Sequence, residues 1–188
     1  SGARSVTVAT DDERIRKVVE QAGHRALMTR AAHPSGTDRI AEAATVLGLG
    51  AQEIVVNLQG DEPLIDSFLI RQVAVGDIAT ACHPIHDEAS LANPNVVKVV
   101  LDTAGYALYF SRARVPFPRE AGGAWYRHAG IYACRSEFLQ RFARLAVAPI
   151  EEQKLLSNCG LAVAVSKAAI PPGVDTPQDL DAVRRMLA

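Results

Sequence analysis

The chain reads as an α/β protein with a mostly parallel central sheet flanked by helices. Three observations predict this class. Strand-like and helix-like segments alternate from residue 5 to residue 59. The run "QEIVVNLQ" (52–59) is apolar through its middle, as a strand covered on both faces should be. That run then ends in "GDEP", a polar turn at the strand end where such sheets place their ligands.

Each element has its own warrant. "SVTVAT" (5–10) alternates valine with small polar residues and predicts a short strand. "DDERIRKVVEQAG" (11–23) predicts a helix, with Asp11 and Asp12 suited to the cap and Gly23 to the stop. "HRALMTR" (24–30) is a second strand. "SGTDRIAEAATVLGL" (35–49) is a second helix, capped by Ser35 or Thr37. After the third strand the pattern is less regular. "DIATACHPI" (77–85) and "NVVKVVLDTAGYALYFSRA" (95–113) predict strands, the latter folded back at "DTAGY" in a hairpin centred on Gly105. "PFPREAGGAW" is a loop. "YRHAGIYACR" (126–135) is a strand, and a helix runs from Ser136 to about Leu145. "GLAVAVSKA" (160–168) is a late strand. In "GVDTPQDLDAVRRMLA", Asp175 or Thr176 caps a last helix with Pro177 in its first turn, and Leu180, Val183 and Leu187 form its apolar stripe. No repeat or low-complexity segment divides the chain, so residues 1–188 read as a single domain.

Composition excludes several classes. With 188 residues and 48% hydrophobic content the chain can bury a core of its own. A net charge of −1 gives no basic surplus for nucleic acid, so an anionic ligand needs local cations. No apolar stretch is long enough to span a membrane, and none opens the chain as a signal peptide. Cys82, Cys134 and Cys159 are scattered and odd in number; they read as reduced thiols of a cytoplasmic protein.

Polar residues gather at strand ends. "TRAAHPSGTDR" (29–39) places Arg30, His33, Ser35 and Thr37 at a strand-to-helix turn, where free amides favour anions or polar base edges. The plainer reading is that Ser35 and Thr37 only cap the helix. Asp61 in "QGDEP" is a candidate ligand for a hard cation, since magnesium takes few protein carboxylates and fills its other positions with water and phosphate; a solvated turn is the alternative. Asp175 is either a cap or a second such carboxylate. In "RHAGIY", His128 and Tyr132 share one face of a strand, suited to a polar ligand or to core packing. Arg112 and Arg114 leave a strand at "YFSRARVP", where guanidinium forks hold carboxylates or phosphates, or pair with surface acids. No Walker loop, CxxC pair, HExxH or GxSxG is present, and nothing signals a covalent nucleophile. The residues alone therefore describe an α/β protein suited to a metal-bound, phosphorylated ligand.

Taken in order, "TRAAHPSGTDRIAEA", "VNLQGDEPLI", "NPNVVKVVLDTAGYALYFSRARVPF", "RHAGIYACR" and "GVDTPQDL" resemble the 3-deoxy-manno-octulosonate (Kdo) cytidylyltransferases, the CMP-Kdo synthetases. The resemblance covers nearly the whole chain. It implies a fold like that of the nucleotide-diphospho-sugar transferases, Rossmann-like, with a smaller mixed sheet and hairpin extension. It implies transfer of CMP from CTP to Kdo with magnesium (Mg2+) as cofactor, release of pyrophosphate, and a role in lipopolysaccharide synthesis. It also implies a cytoplasmic homodimer, with neither nucleic acid nor membrane as partner. By motif, Arg30 and Ser35 would hold the cytidine, with Gln59 near the base or sugar. Asp61 and Asp175 would bind magnesium, while Arg112, His128 and Tyr132 would contact the sugar acid. Glu152 and Gln153 would match the family's Glu-Gln pair, in an altered context. Family members also carry a strand and loop resembling "IPARxxSxRLPGKPL", whose basic residues embrace the triphosphate; "SGAR" leads here directly into the strand that follows it. Two alternatives remain open at this point. One is a cytidylyltransferase for sialic acid or 8-amino-Kdo; the other is a non-catalytic relative lacking the phosphate loop.

Overall fold

In a computed structural model the described residues are 1–74, 77–117, 123–142, 161–166, 170–171, 173–174 and 176–187. Strand β1 (Val8–Thr10) leads to helix α1 (Glu13–Gln21), β2 (Ala26–Met28), α2 (Gly36–Val46) and β3 (Ile54–Leu58). Then follow α3 (Ser67–Val73), β4 (Ile78–Ile85), α4 (Glu88–Ala92), β5 (Lys98–Leu101), β6 (Ala107–Ser111) and β7 (Trp125–Arg135). Helix α5 (Ser136–Phe142), β8 (Ala162–Val165) and α6 (Pro177–Leu187) complete the described elements. The strand–helix alternation expected over residues 5–59 is observed, and α3 and α4 are added to it by the structure.

Local chemistry sets the helix starts. Asp12 accepts from the Arg14 amide at 2.7 Å and Asp66 from the Phe68 amide at 2.8 Å. Ser35 accepts from the Asp38 amide at 3.3 Å, and Asp87 from the Ser90 amide at 2.7 Å. Each satisfies a donor that the first helical turn leaves open. Thr176 and Asp179 form a reciprocal cap at the start of α6: the Thr176 amide donates to Asp179 at 2.8 Å, and the Asp179 amide donates to the Thr176 hydroxyl at 3.2 Å. The cap that the sequence left between two residues is thus provided by Thr176. The hairpin also forms as expected. Gly105 adopts φ 86°, and the Asp102 carboxylate accepts from the amides of Ala104 and Tyr106.

The strands form two sheets. β1 and β2 pair in parallel. The larger sheet has the order β6-β5-β7-β4-β8, with β3 also paired to β7. β4 and β8 are parallel, whereas β7 is antiparallel to β3, β4 and β5. The 52–59 segment, read as a central parallel strand, is thus antiparallel to its described neighbour. Periodicity could not show this, because direction depends on which later strand docks beside it. β7 is long enough to carry β5 along one end and β3 along the other.

The core lies on both faces of this sheet. Ile78 and Cys82 of β4 turn one way, toward Ala41 and Ala44 of α2 and toward Phe138 and Leu139 of α5. Ala79 and Ala81 turn the other way, toward Leu69 and Val73 of α3. A strand covered on both faces must be apolar throughout, and β4 is nearly so. Its polar exceptions matter below. Cys82 and Cys134 are free and buried, and burial pushes both thiols up to about 12, so neither is poised to react. Among the described residues no helix is long and apolar enough to cross a membrane.

Candidate active site

A cavity of about 1880 Å³ lies between the two sheets, lined along the whole of β1 and β3 and reaching the 59–63 turn. Ser35, Gln59, Asp61, His128 and Tyr132 all line it, although they come from three separate stretches of sequence. The structure therefore brings together five of the ten residues picked from the sequence. Arg30 and Arg112 are exposed and lie outside the lining. Asp175, Glu152 and Gln153 lie outside the described residues.

The 59–62 turn is held from two sides. The Glu62 amide donates to the Gln59 carbonyl at 3.2 Å, which closes the turn. A Cβ on Gly130 would stand 3.4 Å from both Gln59 Oε1 and Glu62 Oε1, so these side chains lie directly over the glycine. On the other side the Val174 amide donates to the Asp61 carbonyl at 2.7 Å, and a Cβ on Gly173 would stand 3.2 Å from that oxygen. At Gly173 the close backbone approach favours glycine, whereas at Gly130 the flexible ends of Gln59 and Glu62 meet the glycine at ordinary contact distance.

Asp61 Oδ1 is buried and has no hydrogen-bond partner among the described residues. A buried acceptor without a donor is costly, on the order of 1–3 kcal/mol. A hard cation would satisfy it, so Asp61 fits the magnesium that the motif implies. No group of three metal-ligating side chains forms among the described residues.

His128 and Tyr132 share a face, with ring centroids 5.4 Å apart, and the edge of Phe110 closes on His128 at 4.9 Å. The side-chain alternation read from "RHAGIY" is therefore present. Burial pushes the imidazole down to about 4, so it is neutral near pH 7 and acts as a hydrogen-bonding group rather than a cation. His128 Nε2 lies 2.9 Å from the Thr80 hydroxyl.

At the other end of the cleft, Ser35 spends its hydroxyl on the α2 cap, donating to Asp38 Oδ2 at 2.5 Å. The preceding turn is held by Glu42. Its carboxylate accepts from the Arg30 amide at 3.2 Å and pairs with His33 Nε2 and the Arg30 guanidinium. The His33 bond is the main cause that holds the Glu42 carboxyl below its usual range. In β5, Lys98 is wholly buried. Its ammonium donates to the Asn93 carbonyl at 2.8 Å and to the Arg112 carbonyl at 3.1 Å. Arg112 itself donates from Nη1 to the Pro94 carbonyl at 3.1 Å.

Three supporting residues escaped the sequence reading. Glu42 gave no signal, because an acid on an amphipathic helix reads as solvated. Thr80 and Lys98 did give one. Each interrupts an apolar strand, and a polar group buried there must find partners.

An α/β fold that gathers an orphaned carboxylate and an amide just past β3 with a neutral histidine of β7 around one cleft fits a nucleotide-handling transferase of the Rossmann-like type. A family model described as "Cytidylyltransferase" matches residues 1–170, and the chain belongs to that family. A 3-deoxy-manno-octulosonate cytidylyltransferase of Nitrosococcus oceani is 44% identical, covering 100% of this chain and 82% of the relative. That alignment runs over 212 positions, more than the chain has residues, so the relative carries segments this chain lacks. A solved structure of CMP:2-keto-3-deoxy-manno-octonic acid synthetase complexed with CTP superposes with a TM-score of 0.87 at 38% identity. It is matched over 100% of this chain and 82% of its own. HddC from Yersinia pseudotuberculosis, at 11% identity and a TM-score of 0.66, covers 97% of this chain and 77% of its own and shares the fold.

Proposed function

We propose that the chain activates Kdo with CTP, giving CMP-Kdo and pyrophosphate for lipopolysaccharide synthesis. The observation that carries this is the convergence of Gln59, Asp61, His128 and Tyr132 on one cleft, in a chain similar throughout to a Kdo cytidylyltransferase. In the reaction a sugar hydroxyl oxygen forms a bond to the α-phosphorus of CTP. The bond to pyrophosphate breaks, and the hydroxyl proton leaves to solvent. No covalent enzyme intermediate is needed, so the protein's contribution is positioning, which can supply roughly 7–11 kcal/mol in favourable cases.

The residues divide by substrate. Arg30 and Ser35, steadied by Glu42, serve the cytidine, and Gln59 the base or ribose. Tyr132 and His128 take sugar hydroxyls, and Arg112 the sugar carboxylate. Asp61, with Asp175, holds magnesium, which when bound neutralises phosphate charge. Glu152 and Gln153 belong to the same proposal as substrate-binding residues. A homodimer is supported by the apolar surface at and beside β6, where Tyr106 before the strand and Leu108 and Tyr109 within it are exposed and Phe117 follows at 85% exposure. A cytoplasmic location goes with a substrate, CTP, that is made there.

The test is pyrophosphate release from CTP and magnesium with a panel of sugar acids: Kdo, 8-amino-Kdo and sialic acid. Turnover with Kdo well above the others supports the assignment. Turnover confined to another sugar acid replaces the substrate, and no turnover with any of them refutes the enzymatic proposal.

A further inference from the structure

We infer that Thr80 is a positioning residue that fixes the His128 imidazole as its Nε2–H tautomer and leaves Nδ1 as a bare acceptor for a sugar hydroxyl. The second half rests on the sugar site proposed above; the first half does not.

Thr80 is fully buried in β4, where its neighbours Ala79 and Ala81 are apolar. Its hydroxyl has one proton and two lone pairs. Oγ1 lies 2.7 Å from the Ile131 carbonyl, 3.5 Å from the Ala129 carbonyl and 2.9 Å from His128 Nε2. Carbonyl oxygens only accept, so the proton belongs to the near one, Ile131. The hydroxyl then meets His128 with a lone pair, and Nε2 must be the donor. A neutral imidazole has a single N–H, so Nδ1 carries none. The opposite tautomer would draw the hydroxyl proton to Nε2. The Ile131 carbonyl would then face an oxygen lone pair at 2.7 Å with no donor between them.

The reason this carbonyl needs Thr80 is a break in the β4–β7 ladder. Thr80 pairs with Tyr132 and Ala81 with Ala129, so Gly130 and Ile131 have no partner on β4. The same irregularity that leaves Gly130 under Gln59 and Glu62 thus frees a carbonyl, and Thr80 takes it. His128 lines the cleft, and no described residue hydrogen-bonds its Nδ1. Burial keeps the ring neutral, which agrees with the geometry. A neutral ring with a bare nitrogen selects an O–H donor. It would not select a carboxylate, which needs a donor, so the sugar's acid group falls to an arginine and its hydroxyls to His128.

The experiment is nitrogen NMR of the full chain with 15N-labelled histidine, at pH 7 and without substrates, the His128 signals being assigned by their loss in His128→Gln. A protonated Nε2 and bare Nδ1 are expected; a protonated Nδ1 overturns the inference. Thr80→Val keeps the shape and removes the hydroxyl. It should disturb the tautomer and raise KM for Kdo about five- to tenfold while leaving KM for CTP alone. Thr80→Ser should restore both. A purely structural threonine would instead lower stability and leave the tautomer and both constants unchanged, which also overturns the inference. If Thr80→Val does not fold, the wild-type spectrum still decides. A wild type that shows the Nε2–H tautomer but never turns over Kdo refutes the substrate and not the tautomer.

Discussion

The backbone amide of Val174 donates to the carbonyl of Asp61 at 2.7 Å, tying the stretch that precedes α6 to the turn that ends β3. The bond acts on the Asp61 main chain and does not engage its carboxylate. Asp61 Oδ1 is buried without a partner among the described residues, and turn geometry does not require a carboxylate there. Asp61→Asn should therefore leave the melting temperature nearly unchanged or slightly raise it. Turnover should fall by at least ~100-fold, the loss expected when several kcal/mol of charge neutralisation go. Magnesium should raise the melting temperature of the wild type with CTP present and not that of Asp61→Asn. Equal magnesium response in both proteins would remove Asp61 from the metal site.

The pH dependence of stability follows from His128. Its folded value is near 4 and its ordinary value 6.5. Between these the unfolded chain binds a proton that the folded chain does not. Stability from this residue is thus complete above about pH 6.5 and is lost as pH falls toward 4. At pH 5 the loss is roughly 2 kcal/mol. Urea unfolding at pH 7.5 and pH 5 should show a smaller difference in His128→Gln than in the wild type. An identical difference in the two would mean the ring is not held neutral.

Much of this was legible in the sequence, and the gaps have physical causes. Element positions followed from caps and periodicity: Asp12, Ser35 and Gly105 sit where such residues satisfy open amides or allow positive φ. The shared face of His128 and Tyr132 followed from the twofold period of a strand. Strand direction did not follow, because β3 is antiparallel to β7 only through a pairing far along the chain. The supporting contacts were hidden for the same reason. Thr80 and His128 are 48 residues apart, and a hydrogen bond at that separation leaves no local pattern.

Glu42 is expected to matter for the nucleotide without touching it. Its carboxylate gathers the Arg30 amide, the Arg30 guanidinium and His33, and so fixes the turn ahead of the Ser35 cap. Glu42→Gln keeps the size and one acceptor but loses the charge. KM for CTP should rise about three- to tenfold, since charge-assisted bonds are worth more than neutral ones. KM for Kdo should stay put. The preference for CTP over UTP should narrow, because the two bases differ at the 4-position in donor and acceptor character. An unchanged preference would place base recognition elsewhere.

The last prediction separates grip from support at the sugar carboxylate. Arg112 is exposed at the end of β6, and its own carbonyl is held by the buried ammonium of Lys98. Arg112→Ala removes a guanidinium at the surface, so stability should barely move. KM for Kdo should rise about tenfold or more, the scale of a charge-assisted pair, while KM for CTP holds. Lys98→Met has similar length but leaves the Asn93 and Arg112 carbonyls without their donor. It should cost about 1–3 kcal/mol of stability, because buried acceptors are expensive to strand. It should also raise KM for Kdo, by loosening the backbone from which Arg112 projects. The two routes share one endpoint, so their effects on the sugar constant should not add. In the Arg112→Ala background, Lys98→Met should still lower the melting temperature yet change KM for Kdo little further. Full additivity in KM would mean that Lys98 reaches the sugar independently of Arg112. Normal use of Kdo by Arg112→Ala would show that another group holds the carboxylate.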